Sequence, residues 1–422
     1  MNRFLQIFKI PDLRKKVLIV IGLLVASRIL AAIPIPGIDA ARLQAFFGKS
    51  QLLGFLNLFS GGGLVTLSVA MLGVGPYITA TIIMQLLTII FPKFKEMYYE
   101  DGARGQAKFN QYARMITVPF AALQAYGFLS ILTSQGVIDP QGLGKTIMNV
   151  IAIAAGSMIT LWLGELITDQ KIGNGISLII LAGIVSRLPA DASLAFASYT
   201  PSLLPTYIGF VLLGVLVIAG VVYLNEGERK IPIAYARRVR GNKLYGGSSS
   251  YLPLKVNQAG MIPLIFAISV LIFPQFLAQI SSVFSVDFAV KLNNLVTGFL
   301  NHKLYYGIFY FLLVVIFTYF YTAITFNAGE VSKNLQRSGG FVPGIRPGDA
   351  TEKFFSSVVN RVTLFGAIFL GLIAVLPLIV EQLTGVPVLT ISGTALLIVV
   401  SVCLETMRQI NSQLTVREYD AF

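Results

Sequence analysis

Ten stretches of this chain stay apolar over lengths close to what crossing hydrocarbon requires, about 17 to 25 residues. They run over 17–33, 73–92, 114–134, 147–168, 174–189, 206–224, 257–280, 304–326, 362–380 and 388–405, with polar and turn-forming residues between them. The pattern predicts an all-α integral membrane protein with ten transmembrane helices. The first stretch follows Lys15-Lys16 in the manner of a signal peptide, but it ends in Ile33-Pro34-Ile35-Pro36-Gly37 with no small-residue cleavage site. It is therefore expected to stay in the chain.

Charge fixes the orientation. With the N-terminus inside, the cytoplasmic segments hold 25 of the 32 lysines and arginines and the external side holds 6, counting Arg187 at the outer end of the fifth stretch, with Arg28 lying within the first span. This excess follows the rule that cytoplasmic loops are basic. It also decides how residues 52–72 are read, a stretch apolar enough to suggest another crossing. An extra crossing would turn the basic loops 93–114, 225–256 and 328–361 outward. Gly61, Gly62 and Gly63 would each cost a helix interior about 1 kcal/mol relative to alanine. The segment is expected to be a re-entrant half-helix entering from outside. Irregular backbone at that depth is tolerated only where protein buries it or a wet cavity receives it.

Composition narrows the function. The chain of 422 residues is 55% hydrophobic and 12% charged, whereas soluble domains carry about 25% charge, so a water-soluble globular protein is excluded. One cysteine, Cys403, and one histidine, His302, rule out a disulfide framework and a His/Cys metal cluster. No metal, cofactor or catalytic constellation is expected, and the chain reads as no enzyme. The main alternative is an ion-coupled secondary transporter with a re-entrant segment. That reading needs an ionisable residue at mid-depth in a broken helix. The spans offer Arg28, late in the first, with Glu165 and Glu405 at cytoplasmic ends. Gly142-Leu143-Gly144-Lys145-Thr146 imitates the end of a phosphate loop, but the first required glycine would fall on Asp139 and the loop faces outside.

Two cytoplasmic loops, 225–256 and 327–361, far exceed the usual helix connection of about 2 to 8 residues. In the first, Ile231, Ile233 and Tyr235 alternate before Arg240-Gly241-Asn242-Lys243, a pattern that predicts a hairpin. Its tip would present Arg237, Arg238, Arg240 and Lys243. In the second, Pro343 and Pro347 stiffen the backbone on either side of Arg346. Ordered basic projections suit a large anionic or acidic partner, such as ribosomal RNA phosphates or an acidic patch of a motor protein. Anionic lipid headgroups are a second destination for such loops.

Several motifs occur in a characteristic order. They are Ile33-Pro34-Ile35-Pro36-Gly37-Ile38-Asp39-Ala40, the Phe/Gly run 55–63, Gly75-Pro76-Tyr77-Ile78, Gln85-Leu86-Leu87-Thr88 and Trp162-Leu163-Gly164-Glu165. They continue with Ile172-Gly173-Asn174-Gly175-Ile176-Ser177, Leu252-Pro253-Leu254-Lys255-Val256-Asn257, Ala259-Gly260 and Phe341 to Gly348. In this order and spacing, over nearly its whole length, the chain resembles the bacterial SecY family, the central subunits of protein-conducting channels.

The resemblance implies two pseudo-symmetric halves of five spans, 1–189 and 206–405, hinged through the external stretch 190–205 and followed by a cytoplasmic tail, 406–422. It implies a plug over about 55–67 that includes Phe55, Phe59, Ser60, Gly61, Gly62 and Gly63. It further implies a waist closed by Val74, Ile78, Ile176, Ile180, Ile265 and Ile398. Branched apolar side chains suit such a gasket, because hydrophobic constrictions gate by dewetting. Thr79, Gln85 and Asn257 would line a lateral gate, and Arg346 with the 237–243 tip would dock the SecA ATPase and the ribosome in turn. The implied partners are SecE, SecG, SecA, the ribosome, signal sequences, unfolded preproteins and anionic lipids. The implied function is to move secretory polypeptides across the cell's inner (plasma) membrane and to release transmembrane segments into lipid, with both termini cytoplasmic.

Overall fold

The computed structural model describes residues 10–35, 67–99, 101–134, 136, 138–139, 142–197, 201, 204–235, 238–240, 243–245, 249–284, 291–292, 295–296, 298–299, 302–384 and 388–420. The chain is mostly helical. Ten described helices of 16 residues or more overlie the ten apolar stretches: α1 (Pro11–Ala32), α2 (Gly75–Ile90), α4 (Gly102–Ser134), α5 (Leu143–Asp169), α6 (Gly175–Ala197), α7 (Leu204–Glu226), α8 (Ile262–Phe284), α9 (Lys303–Thr325), α11 (Asp349–Thr384) and α12 (Val388–Asp420). Two shorter helices, α3 (Pro92–Tyr99) and α10 (Ala328–Arg337), fall in the basic stretches between spans.

By length and apolarity alone, five described segments can cross a bilayer: Leu143–Asp169, Tyr207–Glu226, Lys303–Arg337, Asp349–Val380 and Ala395–Thr415. The pair Gly75–Thr88 and Pro92–Tyr98, bent by 112°, makes a sixth if taken as one span. The bend has a local cause. Phe91 is extended, as residues before proline prefer, and Pro92 opens the next helix. Beyond the bend, Phe94, Met97 and Tyr98 of α3 pack on Met84, Phe109 and Ala113.

The chain divides into two compact units: Met1–Pro205 with Ser269–His302 and Val402–Phe422, and Thr206–Ile268 with Lys303–Ser401. In the first, α4 packs on α2, α3 and α5, and α5 packs on α6 and α1. The helix pair α5 and α6 meets at small residues. Thr168 Oγ1 accepts from Gly175 N at 2.9 Å, and a Cβ at Gly175 would overlap the Gly164 carbonyl oxygen. The stretch expected as a tail continues α12 as helix to Asp420. There Leu414 packs with Leu13, and Gln413 Nε2 donates to the Lys171 carbonyl in the α5–α6 turn.

In the second unit, α9 and α11 pack closely, with Gly371 against Phe311 and Gly307 against Val375 and Leu378. Small residues let helices approach where lipid supplies no hydrophobic drive. Outside the spans a three-stranded antiparallel sheet forms from β1 (Glu228–Tyr235), β4 (Ser249–Lys255) and β5 (Gly340–Phe341), in the order β4-β1-β5. Its buried face carries Ile231, Ile233 and Leu254 onto Leu335, Val342, Phe355, Val358 and Val359. The two long loops between spans are thus one folded body. Strands β2 (Arg238–Arg240) and β3 (Lys243–Tyr245) pair Arg240 with Lys243, the register of the expected hairpin.

Gly175→Val is expected to lower the thermal stability of the purified protein through overpacking, by about 1–3 kcal/mol. Gly144→Ala, where an added Cβ meets nothing within 4 Å, should leave the melting temperature unchanged. Equal melting temperatures for both variants would contradict the close α5–α6 contact.

Candidate functional site

Four of the proposed waist residues stand at the N-terminal ends of α2 and α6. Val74 precedes α2 as its N-cap, and its carbonyl accepts from Ile78 N at 3.1 Å, so the two side chains stand one turn apart. On α6, Asn174 caps the helix, its Oδ1 accepting from Ile176 N at 3.1 Å and Ser177 N at 3.2 Å. Ile180 follows Ile176 by one turn. Val74, Ile78 and Ile180 are buried, whereas Ile176 is half-buried beside Gly164. In the second unit, Ile265 on α8 and Ile398 on α12 are buried as well. All six are aliphatic.

The plug positions Phe55, Phe59, Ser60, Gly61, Gly62 and Gly63 lie outside the described residues. The described residues on either side of 36–66 pair with each other. Ile35 N donates to the Leu67 carbonyl and Val69 N to the Ile33 carbonyl, both at 3.0 Å, closing an antiparallel bridge between Pro34 and Ser68. Leu67 has φ +40°, uncommon for a residue with a branched side chain. It is held there by burial with Ile35, Met71, Phe128, Leu132 and Ile153. From the other side, Ser157 Oγ donates to the Gly73 carbonyl at 2.7 Å, and a Cβ on Gly156 would strike the Val69 backbone.

The three proposed gate residues have different surroundings. Thr79 Oγ1 donates to the Gly75 carbonyl at 3.1 Å and receives the Gln124 amide at 3.5 Å. Gln85 Oε1 is buried with no hydrogen-bond partner. Asn257 Nδ2 donates to Asn225 Oδ1 at 2.8 Å and to the Gly260 carbonyl at 3.1 Å. Asn225 Nδ2 in turn donates to Ser401 Oγ at 3.3 Å. Sequence reasoning passed over Gln124, Asn225 and Ser401; the available signal was a polar side chain within or at the end of an apolar span. It also placed Glu165 only at a helix end. The structure pairs Glu165 with Arg114 through Nε to Oε1, joining α5 to α4.

Arg346 lies exposed in the turn after β5. Gly344 and Gly348 take φ of +83° and +102°, conformations glycine reaches without penalty. The turn is held by Ile345 N donating to the Val342 carbonyl at 3.1 Å, Thr351 Oγ1 to the Arg346 carbonyl at 2.8 Å and Ser332 Oγ to the Gly348 carbonyl at 2.9 Å. Because β5 pairs Ala234 with Phe341, this turn and the hairpin of residues 228–255 belong to one body. Arg238, Arg240 and Lys243 lie on β2 and β3, while Arg237 is outside the described residues.

These helices, the apolar positions on them and the cytoplasmic body define a multi-pass membrane protein with the fold of a protein-conducting channel. Residues 68–407 match the SecY family model. The protein translocase subunit SecY of Mycobacterium tuberculosis is 40% identical, the alignment covering 100% of this chain and 99% of the relative. That of Streptomyces coelicolor is also 40% identical with the same coverage. Among solved structures, a protein-conducting channel aligns with TM-score 0.63 and 19% identity, over 93% of this chain and 91% of that one. Sec61 from the canine ribosome–channel complex aligns with TM-score 0.61 and 19% identity, over 93% and 91%. The chain belongs to the SecY family.

Thr351→Val removes the donor that fixes the Arg346 carbonyl, a loss of about 1 kcal/mol. Amide hydrogen exchange at residues 344–348 should speed up several-fold while the amides of α9 stay protected. Unchanged exchange in that turn would show that the clamp does not order it.

Proposed function

We propose that this chain is the channel-forming subunit that passes unfolded polypeptides across the membrane and releases apolar segments sideways into lipid. The observation that carries the reading is the aliphatic character of Val74, Ile78, Ile176, Ile180, Ile265 and Ile398, five of them buried, in a chain of the SecY family. A ring of branched apolar side chains binds no particular sequence. It closes by excluding water and yields to a chain pushed through it.

In this reading the segment 55–67 is the plug that covers the ring from outside, carried on a connection clamped at Ile35 and Leu67. The halves 1–189 and 206–405 part along a gate that includes Thr79, Gln85 and Asn257. Hydrogen bonds within membranes average about 0.6 kcal/mol, weak enough for an entering signal sequence to displace them. SecE and SecG are the companion subunits. The driving force comes from partners docking on the cytoplasmic body, where Arg346 and the hairpin tip at Arg237, Arg238, Arg240 and Lys243 meet SecA or the ribosome. The protein belongs in the cell's plasma membrane with both termini cytoplasmic, in contact with anionic lipid.

Reconstitution with SecE, SecG, SecA and ATP, scored by protease protection of a signal-bearing precursor, tests the activity, and an unprotected precursor would refute it. In planar bilayers, Ile78→Asn and Ile180→Asn should each raise ion conductance several-fold, and conductance equal to the parent protein would remove the gasket. Arg346→Glu should abolish ATP-dependent protection while the protein still accumulates in membranes. Normal transport by that variant would remove the docking role.

A further inference from the structure

The cytoplasmic sheet does not simply end where the membrane begins. Strands β1 and β4 pair down to Glu228 opposite Lys255, the next rung is Val256 N donating to the Gly227 carbonyl at 2.9 Å, and the one after is made by side chains. There Asn257 Nδ2 reaches Asn225 Oδ1 at 2.8 Å. Asn225 sits in the last turn of α7, and its own amide reaches Ser401 Oγ on α12 at 3.3 Å. Asn225, Asn257 and Ser401 are 8%, 7% and 8% exposed. Val256 is itself confined, since a Cβ on Gly366 would lie 3.1 Å from its carbonyl oxygen and one on Gly227 3.1 Å from its Cγ2.

The chemistry of an amide makes this arrangement directional. Asn257 spends its NH2 on two acceptors, Asn225 Oδ1 and the Gly260 carbonyl. Its Oδ1 is left buried with no hydrogen-bond partner. Buried polar groups are normally paired, because an unmade bond costs the full desolvation of that group. Rotation of the amide by half a turn would set two acceptors, Asn257 Oδ1 and Asn225 Oδ1, against each other. Asn225, together with the Gly260 carbonyl, therefore selects one of the two amide orientations and keeps the Asn257 NH2 turned toward α7.

We propose that Asn225 is the positioning residue of the lateral gate: it orients the Asn257 amide and ties it to the last rung of the cytoplasmic sheet on one side and to Ser401 of α12 on the other. The inference rests on the reading of Asn257 as a gate residue. Loss of Asn225 removes one of the two bonds that hold that amide, so the gate opens for signal sequences that the parent channel rejects.

The test uses the full complex in vesicles with SecA and ATP, and compares protection of a precursor carrying a defective signal sequence with protection of the intact precursor. Asn257→Leu and Asn225→Leu should each raise the ratio of defective to intact precursor exported by about threefold, the factor of one average membrane hydrogen bond. The double variant should match either single one, because both remove the same interaction. Asn225→Asp keeps the acceptor and should restore parental selectivity; a merely structural role predicts no such rescue. Ser401→Ala should shift export in the same direction by less. If Asn225→Leu fails to accumulate, Asn225→Asp at parental selectivity with a Ser401→Ala shift supports the proposal, and any other pattern overturns it. Effects that multiply in the double variant, or a silent Asn225→Leu beside an active Asn257→Leu, overturn the positioning role alone. A silent Asn257→Leu overturns the gate reading and this inference with it.

Discussion

Hydrocarbon offers no hydrogen-bond partner, and every other feature of this protein answers to that fact. A backbone that crosses lipid must satisfy its own polar groups, which makes the spans helical. The departures from helix are the informative places. Between α1 and α2 the extended residues 33–35 and the turns from 67 to 74 carry backbone groups that no helix pairs. They are met by the bonds of Ile35 with Leu67 and of Val69 with Ile33, and by Ser157 reaching the Gly73 carbonyl. Non-helical backbone is held there because α4 and α5 cover it, through Phe128, Leu132 and Ile153.

The same constraint separates the two kinds of chemistry this channel needs. In the proposed reading the waist is apolar, so that aliphatic side chains seal without recognising what they seal against. The proposed reading puts recognition of partners outside the spans, on a body with its own core, in which Ile231, Ile233, Leu254 and Phe355 hold a small sheet together. That body can be stiff. Turn glycines, two prolines and hydroxyl clamps fix the backbone around Arg346. A rigid basic turn loses little conformational entropy on meeting a partner. Where polar side chains do enter the span region, at Asn225, Asn257 and Ser401, each bond carries weight because its alternative is a buried unpaired group.

Most of the fold was legible because hydropathy over some twenty residues is a strong signal. The ten apolar stretches each coincide with a long helix, and the hairpin register around Arg240 and Lys243 follows from the residues that frame it. What escaped was set by contacts remote in sequence. Strand β5 is two residues long and pairs with β1 across roughly a hundred positions, so no local pattern announces that two loops form one body. The continuation of α12 to Asp420 reads as a polar tail because its anchors, Leu13 and the Lys171 carbonyl, lie at distant points of the chain. Asn225 looks like an ordinary helix-end residue until Asn257 is placed beside it. The waist residues are a different case. An isoleucine in a span is indistinguishable from packing by composition, and only the family pattern singles out six of them.

In the proposed channel a chain in transit passes a constriction in contact with aliphatic side chains. The direct measurement is site-specific photocrosslinking to a precursor stalled in transit, with the probe placed in turn at 78, 180, 265 and 398, and at Leu216 and Ile316 on exposed faces of α7 and α9. The account predicts adducts with the stalled chain from the four waist positions and none from the two outer ones. Silence at the waist together with adducts at Leu216 or Ile316 would contradict it.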